Sequence, residues 1–189
     1  MMRSTVHGDR RGVLRGMLAA AAGVFGRPPG ARATQSPPVH RRVVTGVNAV
    51  GKSAVLIDGP VPPEGRWARK GQYGSQAWLV DRIPVDLADS HDPIAGHALA
   101  ALPPPSGAFF RTFTWEPGSG FDMHQTPTID FLVVVSGRME LRMEEGSAKL
   151  GPGDCVVQRG TRHAWRVVGD EPCTFAAVFL PAAQTVPKE

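Results

Sequence analysis

Between residue 108 and residue 180 the chain repeats one pattern, a short run of apolar or alternating residues closed by Gly, Asp or Glu. Runs of this length and punctuation predict strands at 108–115, 128–136, 138–143, 148–150, 155–158, 163–168 and 174–180. Upstream, 41–45 and 53–57 read as two further strands joined through Gly46-Val-Asn-Ala-Val-Gly51, a hairpin. The Pro- and Gly-containing stretches 59–74 and 81–107, with the apolar run 77–80 between them, read as loops wrapping a body. No long helical period follows residue 33. Many short strands with such breaks predict an antiparallel sandwich or barrel.

Composition sharpens this picture in one place. The 189 residues carry 21 Lys and Arg against 17 Asp and Glu, a net charge of +4, with a sequence pI near 9.6. Residues 1–33 hold six of the arginines and a single acid, which leaves 15 basic and 16 acidic residues in the rest. The basic excess therefore says nothing about a nucleic-acid partner, and none is expected. Arg10-Arg11, the weakly apolar stretch 17–25 and the small-residue end at Ala31-Arg32-Ala33 resemble a twin-arginine export leader. The expectation is cleavage after Ala33, a periplasmic or extracellular location, and no stable membrane span afterwards.

Gly46-Val-Asn-Ala-Val-Gly51-Lys52-Ser53 matches the phosphate-loop pattern letter for letter. That loop works only where a helix N-terminus closes it. Here the strand-like Ala54-Val-Leu-Ile57 follows, so a hairpin turn is expected and no nucleotide cofactor. Cys155 and Cys173 lie in expected strands, and a disulfide and two free thiols both remain open.

The chemistry-bearing stretch runs from Gly118 to Trp165. Its first half contains His124, Thr126, Asp130 and Gly137, and its second half contains Gly153-Asp154, Gly160 and His163. On these residues the segment resembles the cupins, small double-stranded β-helix (jelly-roll) barrels of the RmlC-like, cupin-2 type. His124 stands at the first histidine of the first motif, Thr126 at the second, Asp130 at the glutamate and Gly137 at the closing glycine. Gly160 fills the turn of the second motif and His163 takes its histidine position. Regular alternation would place His124, Thr126, Asp130, Leu132 and Val134 on one strand face, with Pro127 an irregularity. His163, Trp165 and Val167 would share another.

The resemblance implies an all-β jelly-roll barrel over 107–181, an N-terminal hairpin with long loops over 34–106 and a C-terminal tail at 182–189. It implies a small-molecule enzyme of the oxidoreductase, decarboxylase, lyase or isomerase kind, acting on a compact organic acid, phenol or polyketide-like compound. Because Thr126 replaces one histidine, the remaining His124, Asp130 and His163 are the expected catalytic groups. They are also the expected ligands of a divalent ion such as Fe(II), Mn(II), Ni(II) or Zn(II). Thr126, Arg111, Phe113, Gln158 and Trp165 are expected to contact substrate. Arg111, Phe113 and Trp115 share a strand face, and Asp154 is expected to hold its own turn. His40, His91 and His97 are read as surface residues. The alternative is a metal-free cupin that binds a small ligand without turnover. A homodimer is the expected oligomer.

Overall fold

The computed structural model describes residues 38–89 and 91–183, and the expected leader and the end of the tail lie outside them. Twelve strands make up the fold: β1 (Arg41–Val47), β2 (Ser53–Pro60), β3 (Arg66–Arg69), β4 (Gln72–Val80), β5 (Ala108–Trp115), β6 (Gly120–His124), β7 (Thr128–Ser136), β8 (Met139–Met143), β9 (Ser147–Leu150), β10 (Cys155–Gln158), β11 (His163–Val167) and β12 (Cys173–Pro181). A single 3₁₀ turn at Pro63–Gly65 is the only helical element among the described residues. No helix there is long and apolar enough to cross a membrane.

The strands form a six-stranded sheet in the order β10-β7-β12-β5-β4-β3, a four-stranded sheet in the order β6-β11-β8-β9, and the separate hairpin β1-β2. All named pairs are antiparallel. The last eight strands pair in a nested series, β5 with β12, β6 with β11, β7 with β10 and β8 with β9. That nesting is one long hairpin rolled onto itself, the jelly roll expected from the sequence.

Alternation along the strands sends one set of side chains between the sheets. From the larger sheet come Phe113, Trp115, Leu132, Val134, Phe175 and Ala177; from the smaller come Met139, Leu141, Trp165 and Val167, all buried in one cluster. The opposite face of the larger sheet leaves Phe110, Phe131, Val133, Val135 and Val157 exposed. Two turns fix the register. Asn48 Oδ1 accepts from the amides of Val50 and Lys52 at 3.1 and 2.9 Å, closing the hairpin where the phosphate-loop pattern sits. Asp154 Oδ2 accepts from the Gly151 amide at 2.8 Å, as expected of a turn-holding aspartate.

Two expectations are corrected. The 59–107 stretch is not all loop, because β3 and β4 extend the larger sheet beyond β5. Gly74 hides β4 from a pattern reading: a Cβ there would lie 2.2 Å from Trp67 Nε1, so the position must lack a side chain for the indole of β3 to pack. Likewise His40 is not a surface residue, since its ring lies 3.0 Å from Ser75 Oγ and 3.3 Å from Thr114 Oγ1, and burial lowers its pKa. Cys155 and Cys173 are free thiols; Cys173 is buried, and burial raises its pKa to about 11.

Candidate functional site

A cavity of about 200 Å³ opens between the two sheets. Each of the eight residues expected at the site lines it: Arg111, Phe113, Thr126, Asp130, Gln158, His163, Trp165 and His124. Arg111, Phe113, Asp130, Gln158, His163 and Trp165 lie in the strands expected for them, and His124 and Thr126 do not share a strand with Asp130. His124 ends β6 and Asp130 lies in β7, and these strands belong to opposite sheets. Pro127 separates them, so His124 and Asp130 share no strand face and meet only because the sheets face each other. Asp130, Leu132 and Val134 do alternate inward along β7 as expected.

β6 carries a second departure from simple alternation. His163 of β11 is paired with His124 and Trp165 with Phe121, so the ladder slips between them. The extra residue turns both Phe121 and His124 toward the cavity although they are three apart. Gly120 lets β6 approach β11 this closely, since a Cβ there would meet the Trp165 carbonyl oxygen at 1.9 Å.

The two imidazoles have their tautomers fixed by the backbone. His124 Nδ1 lies 2.7 Å from the Asp122 carbonyl oxygen, and His163 Nδ1 lies 2.8 Å from that of Thr161. A carbonyl only accepts, so each neutral ring carries its proton on Nδ1 and leaves the Nε2 lone pair free. The ring centroids are 4.3 Å apart. Burial, with His163 2% exposed, lowers its pKa; the Thr161 carbonyl opposes this and His124 adds to it.

Gln158 lines the cavity and its amide is bonded on both sides to Thr161. Its Nε2 donates to the Thr161 carbonyl at 3.2 Å and its Oε1 accepts from the Thr161 hydroxyl at 3.1 Å. This bracket fixes the carbonyl that orients His163. Gln125 Nε2 adds a bond to the Gly160 carbonyl at 2.7 Å, tying the β6–β7 link to the same turn.

Asp130 is 8% exposed, and its Oδ1 has no hydrogen-bond partner. Burial raises its pKa, with the Thr128 hydroxyl and His124 offsetting part of the shift. A raised carboxyl pKa stabilises the fold below the ordinary aspartate range, and that contribution is lost as pH rises through the folded value. The Asp130→Asn variant is therefore expected to melt higher than wild type at neutral pH, with the gap shrinking on acidification. His163, with its lowered pKa, has the opposite sign: its contribution is present above the ordinary imidazole value and lost as pH falls. It is common to both proteins and cancels in the difference. Thermal melts of the pair across pH check this, and a gap independent of pH would refute it.

Two imidazoles with Nδ1 anchored and Nε2 free fit two ligand positions of the expected divalent ion. The carboxylate does not complete them: among the described residues, no three His, Cys, Asp or Glu side chains are grouped so as to hold a metal ion. Asp130 stands on the facing sheet and is a methylene shorter than glutamate. The two-histidine, one-carboxylate set is thus not assembled in this arrangement.

Aromatic rings line the rest. Phe113 stacks on Phe175 at 4.8 Å, Trp115 meets Phe175 edge-on at 4.9 Å, and Phe121 bridges from Trp115 at 5.4 Å to His124 at 5.5 Å. Trp67, Trp115 and Phe121 were not among the expected substrate contacts. The shared strand face of Trp115 with Arg111 and Phe113 was the available signal for one of them.

Residues 111–179 match the model of the cupin domain (Cupin_2). Oryzines biosynthesis cluster protein J of Aspergillus oryzae is 41% identical over 139 residues, 69% of this chain and 75% of the relative. The chain belongs to the cupin family. This cupin also resembles the cupin-domain-containing oxidoreductase fogC of Aspergillus ruber, 26% identical over 126 residues, 66% of this chain and 62% of the relative. Its distant relatives thus include cupin-domain oxidoreductases and biosynthesis-cluster proteins of fungi. Against other curated relatives, matched at 36% identity over 95 residues, the cupin spans half of their length. Among solved structures, KdgF from Halomonas sp. matches 62% of this chain and 88% of its own at 14% identity and a TM-score of 0.44.

Proposed function

We propose that this cupin is a small-molecule enzyme of the oxidoreductase, decarboxylase or isomerase kind, acting on a compact organic acid, phenol or polyketide-like compound held between the sheets. The observation that carries the proposal is the meeting, in one aromatic cavity, of two free imidazole Nε2 atoms and a buried carboxyl with an unpartnered oxygen. Neutral His163 accepts a proton from a substrate C–H or O–H, because its only proton is held on Nδ1. Asp130, whose burial favours the protonated form, donates to an oxygen on which negative charge develops. His124 offers a second acceptor beside the first. The aromatic walls hold a flat substrate body and exclude water from these proton steps.

The missing imidazole at Thr126 and the incomplete ligand set favour one second reading, a cupin that binds without turnover. The two separate in one experiment. The purified protein is incubated in air with a panel of small organic acids, phenols and polyketide-like ketones, with and without added Fe(II), Mn(II), Ni(II) or Zn(II), and products are read by mass spectrometry. Turnover of any member that fails in His163→Ala supports the enzyme. Binding of panel members with no product under any condition supports the carrier.

A further inference from the structure

Among the described residues, Arg111 is the only Arg or Lys on the cavity wall. Its three hydrogen bonds leave from Nε and Nη2: both donate to Gln76 Oε1, at 3.0 and 2.7 Å, and Nη2 also donates to the Ala100 carbonyl at 2.6 Å. Every acceptor is neutral, and Nη1 takes part in none of these bonds. The guanidinium lies over the Phe109 ring at 4.2 Å and within 5.8 Å of the Phe179 centroid. Among the described residues, no ion pair joins Arg111 to an acid. Asp130, the one acid on the wall among the described residues, lies on β7, and β12 runs between β7 and β5. Two strand spacings, about 10 Å, thus separate their backbones.

Burial lowers the Arg111 pKa to about 10, which leaves the group charged at neutral pH. A desolvated cation held only by neutral acceptors is costly, and an anion brought by a ligand would remove that cost. Phe179, Phe113 and Trp67 supply aromatic wall to the same cavity, while Phe109, Gln76 and Ala100, which hold the guanidinium, lie outside that wall. We propose that the cavity selects a flat, unsaturated organic acid and that Arg111 receives its carboxylate. This rests on the reading of the cavity as the ligand site and narrows it from organic acids, phenols and ketones to acids.

Trp67, Trp115 and Trp165 line the cavity, so intrinsic fluorescence reports its occupation. The probes are 2-naphthoate and 2-naphthamide, which differ in charge and little in shape, titrated into the full chain. Wild type is expected to bind naphthoate at least about tenfold more tightly than naphthamide, the scale of a hydrogen bond to a charged group. Arg111→Gln is expected to abolish that preference while holding naphthamide affinity within about twofold, and Arg111→Lys to retain part of it. Equal affinities in wild type would overturn the anion inference and leave the cavity reading standing. A preference that survives in Arg111→Gln would overturn it too. If neither probe binds, the cavity reading falls and takes this inference with it.

Discussion

Replacing Phe113 with alanine is expected to lower the free energy of unfolding by about 3–5 kcal/mol, the range for deleting a buried aromatic side chain. Phe113 is buried at the centre of β5, stacked on Phe175 and meeting Trp67, Trp115 and Phe179 edge-on at 5.9 to 6.2 Å. Neighbouring strands cannot fill the space. On β4 the cross-strand partner is Gly74, which offers no side chain, and on β12 the partner is Phe175 itself. The loss therefore combines lost transfer energy with a cavity that stays open. Denaturant unfolding with an unchanged m-value checks this; a loss below about 1 kcal/mol would show that the sheets close over the gap.

On a substrate found in the panel, His163→Ala is expected to lower kcat/KM by about 10²–10⁴-fold, the usual contribution of a positioned general base. The ring is buried and its tautomer is held by Thr161, whose carbonyl is in turn fixed by Gln158. No other described group offers an unprotonated nitrogen at the same place except His124, which is bound to its own carbonyl on the adjacent strand. A loss of threefold or less would remove His163 from the proton transfer and leave it a wall residue.

The barrel was legible because its strands keep period two. β5, β7 and β10 have the bounds that alternation predicts, and Arg111, Phe113 and Trp115 point inward together. Elsewhere another constraint replaces the period. β6 was missed because its slipped ladder turns Phe121 and His124 to the same side, three residues apart. β4 was half missed because glycine at 74 makes room for Trp67. That the eight expected residues line one cavity was legible from motif positions and strand alternation, whereas the way they converge was not. Pairing of β6 with β11 is a contact between distant segments, and no local pattern near Pro127 shows that the chain changes sheets there. Nor could any pattern reveal that Gln158 is committed to Thr161 or that Arg111 lacks an acid beside it.

The proposed chemistry centres on two histidines that present bare Nε2 atoms to one cavity. Long-range ¹H–¹⁵N correlation spectra of the full chain, recorded about two pH units above the ordinary imidazole value of ~6.5, read this directly. The predicted result is an Nδ1-bound proton and an unprotonated Nε2 for both His124 and His163, with both Nε2 signals moving when a ligand that quenches the cavity tryptophans is added. A proton on Nε2 of either ring, or Nε2 signals indifferent to such a ligand, would contradict it.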